Sequence, residues 1–390
     1  MDVLFEYQQS MLSKTTTEFY RYKYTELDWH SRVFGIVGPR GVGKTTMLLQ
    51  YIKQHLSTTD TLYVTADHLY FATHTLIDVA DAFYKQGGKH LFIDEVHKAS
   101  DWSLQLKQMI DTYSDMQIIF TGSSVLDIYC GLADLSRRAP IYEMQGLSFR
   151  EYLAMYHHVS MEPVTLDDIL QQKVTIPHVQ HPLPLFQQYL REGYYPFALE
   201  SSDYSTALMQ VVTRTMENDI PMYANLSVSV ARRLKMLLVV VAESVPFKPN
   251  YAKLAQVTGI SRNDIGEYLY YMERAGMVMS LRDATAGIRG IGKVEKLYLD
   301  NTNLMYVLAP QQVEIGNVRE TFFLNQMRVR YSVVSSPVSD FVVNGCTFEV
   351  GGKNKGRRQI SDITNGYVVK DDIEFGYQQV LPLWAFGLTY

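Results

Sequence analysis

The run Gly38-Pro-Arg-Gly-Val-Gly-Lys-Thr45 constrains this chain more than any other feature. It satisfies the phosphate-loop pattern G-x-x-x-x-G-K-[ST] at each fixed position. A short buried strand, Arg32 to Val37, is expected before it. A helix, Thr46 to Leu56, is expected after it, with Met47, Leu48, Tyr51 and Ile52 on one face. The chemistry needs each part. Gly38, Gly41 and Gly43 let backbone N–H groups turn inward toward a polyphosphate. Pro39, Arg40, Val42 and Thr46 complete the cradle, and the helix N-terminus adds partial positive charge at the same place. Lys44 would reach the β- and γ-phosphates, and Thr45 would offer a hydroxyl to Mg2+.

Asp94 stands 50 residues after Lys44, at the end of His90-Leu-Phe-Ile-Asp-Glu95. An apolar strand ending in two acids suits a Walker B site. Asp94 would hold Mg2+ through water, and Glu95 would orient the attacking water. A strand, Thr61 to Thr65, and a helix, His74 to Tyr84, lie between the two motifs, the helix closed by Gly87-Gly88. Beyond them come a helix at Trp102 to Tyr113, with Leu104, Met109 and Ile110 apolar, and a strand at Gln117 to Phe120. That strand ends in Thr121-Gly-Ser-Ser124. Ser123 or Ser124 would either sense a γ-phosphate and position water or simply cap the next helix. In Leu135-Ser-Arg-Arg-Ala139, Arg137 and Arg138 are either arginine-finger candidates for a neighbouring copy's nucleotide or a solvated basic turn. A last strand is expected at Pro140 to Met144.

Strands alternating with helices imply a parallel sheet covered on both faces. An extra strand between the loop strand and the acidic strand, with glutamate after the aspartate, points to P-loop ATPases that use a catalytic glutamate. No guanine-selective Asn-Lys-x-Asp run occurs, which favours ATP over GTP. The 390 residues leave room for two or three domains. A net charge of −5 excludes a global positive field toward nucleic acid or anionic lipid, though not a local basic face. Cys130 and Cys346 are too few for a disulfide framework or a cysteine zinc site and fit a reducing compartment. The N-terminus lacks a signal-peptide pattern, and the longest apolar run, Met236 to Ala242, is too short to span a bilayer. A cytoplasmic protein with no membrane partner is expected.

The middle reads as helical from Leu147 to Tyr223, interrupted by an irregular stretch at Gln171 to Pro184. From Arg232 the pattern sharpens into helices at Leu234 to Ser244, Tyr251 to Thr258 and from Ser261 onward. Ser261-x-x-Asp264 resembles a capping box, and Ile265, Tyr268, Leu269 and Met272 form the apolar face. Met277 to Leu281 and Lys296 to Leu299 would pair as a wing, giving a winged helix. Its Arg262, Asn263 and Arg274 would either contact DNA or leave the module to brace two domains. In the last third, Asn317 to Arg328 reads as a helix carrying Glu320, and strands follow. Asp340 and Glu349 fall on successive strands, where two carboxylates would share a metal ion. Lys353, Lys355, Arg357 and Arg358 follow as a basic cluster suited to a phosphate backbone.

Gly38 to Thr46, Leu91-Phe-Ile-Asp-Glu95, Thr121-Gly-Ser-Ser124, Gly146-Leu-Ser-Phe-Arg-Glu-Tyr-Leu153, Gly193-Tyr-Tyr-Pro196, Asp300, Glu320, Ser339-Asp-Phe341 and Phe348 to Lys353 occur in this order. In that combination the chain resembles prokaryotic AAA+-type ATPases that carry a restriction-endonuclease-like C-terminal domain. The resemblance implies an α/β architecture: a parallel P-loop sheet with helices on both faces, then a helical and winged-helix module, then a small α+β nuclease-like domain. The corresponding segments are 1–150, 151–230, 231–300 and 301–390. An ATP- and Mg2+-dependent enzyme is expected, coupling hydrolysis to rearrangement of its C-terminal domains, with a homo-oligomer and DNA as candidate partners. The nuclease-like site would comprise Glu320, Asp340, Glu349 and Lys353. The usual Glu-x-Lys ending is absent, because Glu349-Val350 is followed by Gly351. An ATP-gated DNA binder or nuclease and an ATP-switched scaffold for another protein are the alternatives.

Overall fold

The structure, a computed structural model, describes residues 1–122, 135, 138–199, 201–224, 226–284 and 294–390. The chain packs as two compact units, Met1–Gln145 and Gly146–Tyr390. The segments 151–230, 231–300 and 301–390 lie within the second unit.

The first unit is built on five strands: β1 (Val33–Val37), β2 (Thr61–Thr65), β3 (His90–Asp94), β4 (Gln117–Gly122) and β5 (Ile141–Glu143). All pair in parallel, in the order β2-β3-β4-β1-β5. The strand between the two motifs in sequence, β2, thus goes to the edge, and β4 lies between β1 and β3 in space. Every residue of β1 and β2 is buried, as expected of a parallel sheet covered on both faces. Helices α1 (Asp2–Lys14), α2 (Tyr22–Glu26), α3 (Lys44–His55), α4 (Leu76–Lys85) and α5 (Trp102–Thr112) surround it. Leu62, Val64, Leu91, Ile93, Ile118 and Phe120 form one core with the apolar sides of α4 and α5. On α3, Met47, Leu48, Tyr51 and Ile52 are buried, and Tyr51 packs 6.4 Å from Phe92 and stacks 4.1 Å from Trp29. Leu104 departs from expectation: it is 59% exposed, and α5 buries Trp102, Leu106, Met109 and Ile110 instead.

Helix α1 covers the open edge of β2. The Gln8 side-chain amide donates to the Thr61 carbonyl at 3.2 Å and accepts the Tyr63 N–H at 2.5 Å. It pairs with the edge as a neighbouring strand would, which closes a surface otherwise open to stray pairing.

The second unit begins with α6 (Phe149–His157), α7 (Leu166–Leu170), α8 (Pro182–Glu192), α9 (Tyr204–Arg214) and, after one π-helical turn at Thr215–Asp219, α10 (Ile220–Tyr223). Ser148 and Glu151 form a reciprocal capping box at the start of α6. The Gly193-Tyr-Tyr-Pro196 motif is structural. Fully buried Asn303 accepts the Tyr194 N–H at 2.9 Å and donates to the Tyr189 and Leu190 carbonyls. A buried amide needs such partners.

Helices α11 (Val228–Ala242), α12 (Tyr251–Thr258) and α13 (Arg262–Arg274) follow, then an antiparallel pair, β6 (Val278–Arg282) and β7 (Val294–Leu299). Ile265, Tyr268, Leu269 and Met272 are the buried face of α13. Ser261 caps this helix through the Asn263 N–H, so the reciprocal box expected with Asp264 does not form. Last come α14 (Thr302–Leu308), α15 (Ile315–Met327) and a mixed sheet in the order β12-β11-β10-β9-β8. Its strands are β8 (Val333–Ser335), β9 (Phe341–Val343), β10 (Cys346–Gly351), β11 (Gly366–Lys370) and β12 (Val380–Pro382). β8, β9 and β10 are antiparallel neighbours, and β11 and β12 add in parallel. Phe323 of α15 packs within 5.3 Å of Phe341, Phe348 and Phe386. Among the described residues no helix is long and apolar enough to cross a membrane.

Candidate active site

The loop between β1 and α3 is set by its glycines. Gly41 and Gly43 hold φ of 82° and 96°, where a side chain is strained. A Cβ on Gly38 would lie 2.1 Å from the Met144 carbonyl oxygen. Helix α3 starts at Lys44, so its first N–H groups have no partner within the helix and present an anion site. Lys44 is buried, and its ammonium curls under the loop to donate to the Gly38 and Pro39 carbonyls at 2.8 and 2.9 Å. Val42 is buried and Thr46 exposed.

Thr45 and Asp94 meet. The Thr45 hydroxyl donates to Asp94 Oδ2 at 2.7 Å. The Tyr63 hydroxyl donates to the same oxygen at 2.9 Å, and the Thr121 hydroxyl to Oδ1. Asp94 is only 3% exposed. Burial, then the neighbouring Glu95 charge, push its carboxyl above the usual range, and the three hydroxyls pull the other way without cancelling the rise. Glu95 has left-handed backbone, φ 50° and ψ 40°, a conformation costing a non-glycine residue about 1–3 kcal/mol. Its N–H donates to Thr121 Oγ1 at 3.2 Å. Its carboxylate lies 3.9 Å from the Arg40 guanidinium and 3.5 Å from His97 Nε2.

Three residues here escaped the sequence reading. Tyr63 and Thr121 reach Asp94 from the strands on either side of β3. Arg21, 5% exposed, donates to the Val42 carbonyl and, at 2.7 Å, to the Gln145 carbonyl. The readable signals were a tyrosine in an otherwise aliphatic and threonine strand and the hydroxyl that heads Thr121-Gly-Ser-Ser124. Ser123, Ser124 and Arg137 lie outside the described residues. Arg138 is described, and it pairs with Asp111 of α5 at 2.9 Å in an exposed position.

The C-terminal carboxylates are arranged differently. Lys296 of β7 donates to Glu320 at 3.1 Å and to Asp340 at 3.3 Å. The Tyr298 hydroxyl donates to Glu320 at 2.7 Å, and Asp340 also accepts the Val350 N–H at 2.9 Å. Burial and the Asp340 charge push the Glu320 carboxyl up despite Lys296. Burial opposes the Lys296 charge, but Glu320 and Asp340 outweigh it and raise its pKa. Glu349, 2% exposed, is held by Lys355 and by the Ser339 hydroxyl. Lys353 does not join it: its side chain is exposed, and its carbonyl accepts from Lys370 at 2.7 Å. Lys355 stands there instead. A Cβ on Gly351 would lie 2.5 Å from Lys355 Cγ, so the missing side chain at the Glu-x-Lys position makes room for Lys355. Among the described residues no three His, Cys, Asp or Glu side chains are grouped to hold a metal. On α13, Arg262 and Asn263 are exposed, whereas Arg274 is half-buried over the Tyr270 ring, 5.9 Å from its centroid.

Residues 30–153 match the profile of an AAA domain. Residues 183–313 match a domain of unknown function, DUF8612. The first segment is therefore an AAA-type P-loop ATPase domain, a nucleotide-binding class. Among solved structures the chain is similar to the Walker-type ATPase PABY2304 of Pyrococcus abyssi, at 11% identity and a TM-score of 0.44, covering 78% of this chain and 95% of that one. It is also similar to PCH-2 of C. elegans, at 13% identity and a TM-score of 0.26, covering 69% and 67%. No curated protein matches the chain.

Proposed function

We propose that this protein is a Mg2+-dependent ATP hydrolase that passes its cycle to residues 146–390. The observation that carries the reading is the meeting of Thr45 and Asp94, at 2.7 Å, beside a glycine loop closed over Lys44. The donor set fits Mg2+: a hydroxyl and a carboxylate are hard oxygen ligands, and the other groups bonded to Asp94 are neutral hydroxyls. Bound there, Mg2+ would neutralise charge on the β- and γ-phosphate oxygens. The loop amides and Lys44 would bind the triphosphate, the ammonium exchanging its two carbonyl partners for phosphate oxygens. Glu95 would orient the water, its carboxylate steadied between Arg40 and His97. In a homo-oligomer, Arg138 would have to leave Asp111 to serve a neighbouring copy's nucleotide.

Coupling has a support within the first unit. Arg21 bonds both the Val42 carbonyl of the loop and the carbonyl of Gln145, the residue before Gly146. A shift of the loop on hydrolysis would reach the start of the second unit through one guanidinium. The test is ATP hydrolysis by Lys44→Ala against the parent, with Mg2+. Removing this preorganised charge should lower turnover by roughly 10²–10³-fold, and equal rates would sink the proposal.

The nuclease alternative meets an obstacle, since Lys296 and Lys355 already engage the carboxylates. Mg2+- or Mn2+-dependent DNA cleavage by the parent, lost in Asp340→Ala, would revive it.

A further inference from the structure

We infer that Tyr63 is a positioning residue for Asp94, fixing the carboxylate that receives the divalent cation; this rests on the ATPase reading above. In the β2–β3 ladder Tyr63 lies opposite Phe92. Its side chain therefore shares a face with Phe92 and with Asp94 two residues further along. Two residues of strand rise roughly 6.6 Å. A tyrosine spans that distance and places its hydroxyl 2.9 Å from Asp94 Oδ2; serine or threonine at this position would fall short.

The two strands flanking β3 thus each give one hydroxyl, and to different oxygens: Tyr63 of β2 to Oδ2, Thr121 of β4 to Oδ1. This fixes the plane of the carboxylate from both sides. Thr45 is the third donor, also to Oδ2. When the Thr45 hydroxyl turns to a cation, Oδ2 keeps Tyr63. That phenol cannot follow Thr45. It is 1% exposed, its ring lies 13° from parallel to Tyr7 at 6.3 Å, and its N–H is bound by Gln8. A donor that stays leaves the rest of Oδ2 aimed at the loop. Without it the carboxylate gains torsional freedom and the cation loses a prepared ligand.

The experiment is Tyr63→Phe in the full chain, read by binding of a fluorescent ATP analogue titrated first in EDTA and then against Mg2+. Affinity in EDTA is expected to match the parent, because the loop and Lys44 are untouched. The Mg2+ concentration giving half-maximal enhancement of binding is expected to rise roughly tenfold, the scale of one hydrogen bond to a charged group. A merely structural role would weaken binding in EDTA and leave the Mg2+ midpoint alone, and that result overturns the inference. So does a Tyr63→Phe midpoint equal to the parent's. Gln8→Ala provides a second route that keeps every side chain bonded to Asp94. It loosens β2 at Tyr63 and should move the midpoint the same way by less; an unmoved midpoint in both variants refutes the role. A parent that binds no nucleotide overturns the ATPase reading and this inference together, whereas a parent that binds and responds to Mg2+ isolates the question to Tyr63.

Discussion

Asp94 and the Glu320–Asp340 pair are both largely buried acids, and they are compensated in opposite ways. Asp94 is ringed by neutral donors: Thr45, Tyr63 and Thr121. On the ATPase reading proposed above, that carboxylate would be offered to a divalent cation, already oriented by its donors. Glu320 and Asp340 share an ammonium already present, that of Lys296. Their charge is spent internally, tying the β6–β7 hairpin to α15 and the C-terminal sheet. Hydroxyls keep a carboxylate in readiness; a lysine converts one into a brace.

The comparison breaks most sharply at Glu95. Glu95→Gln keeps the shape beside Asp94 and removes the base, so steady-state ATP turnover should fall roughly 10²–10⁴-fold while nucleotide binding persists. Turnover within twofold of the parent would detach the first cluster from catalysis. Lys296→Met should act on stability instead. Lys296 is a third exposed, so the cost is about 1–3 kcal/mol, below that of a fully buried pair. A variant as stable as the parent in thermal unfolding would mean that Lys296 is no brace. Asp340→Asn is the mildest: Lys296 keeps Glu320, so the loss should be about 1 kcal/mol, with ATP turnover unchanged. A large fall in turnover there would join the two clusters functionally.

What was legible in the sequence was local. The loop, β3 with its two acids, and the apolar face of α13 are each written in adjacent or periodically spaced residues. What was not legible depends on chain segments meeting across the fold. Tyr63 and Gln8 meet only because β2 becomes an edge strand. Arg21 finds Val42 and Gln145 through the packing of three separate segments. Lys353 is the first lysine after Glu349 in sequence. The chain turns after Gly351, where the Lys355 N–H donates to the Gly352 carbonyl, and so it is Lys355 that folds back. Leu104 shows a smaller failure of the same kind: it is apolar, but its place on α5 faces outward.

The curl of Lys44 onto the Gly38 and Pro39 carbonyls carries one more consequence. The ammonium ties the first two carbonyls of the loop to the start of α3, so the curvature of the glycine run is held by bonds internal to the protein. For the ATPase proposed above, nucleotide entry would exchange these carbonyl oxygens for phosphate oxygens around the same nitrogen.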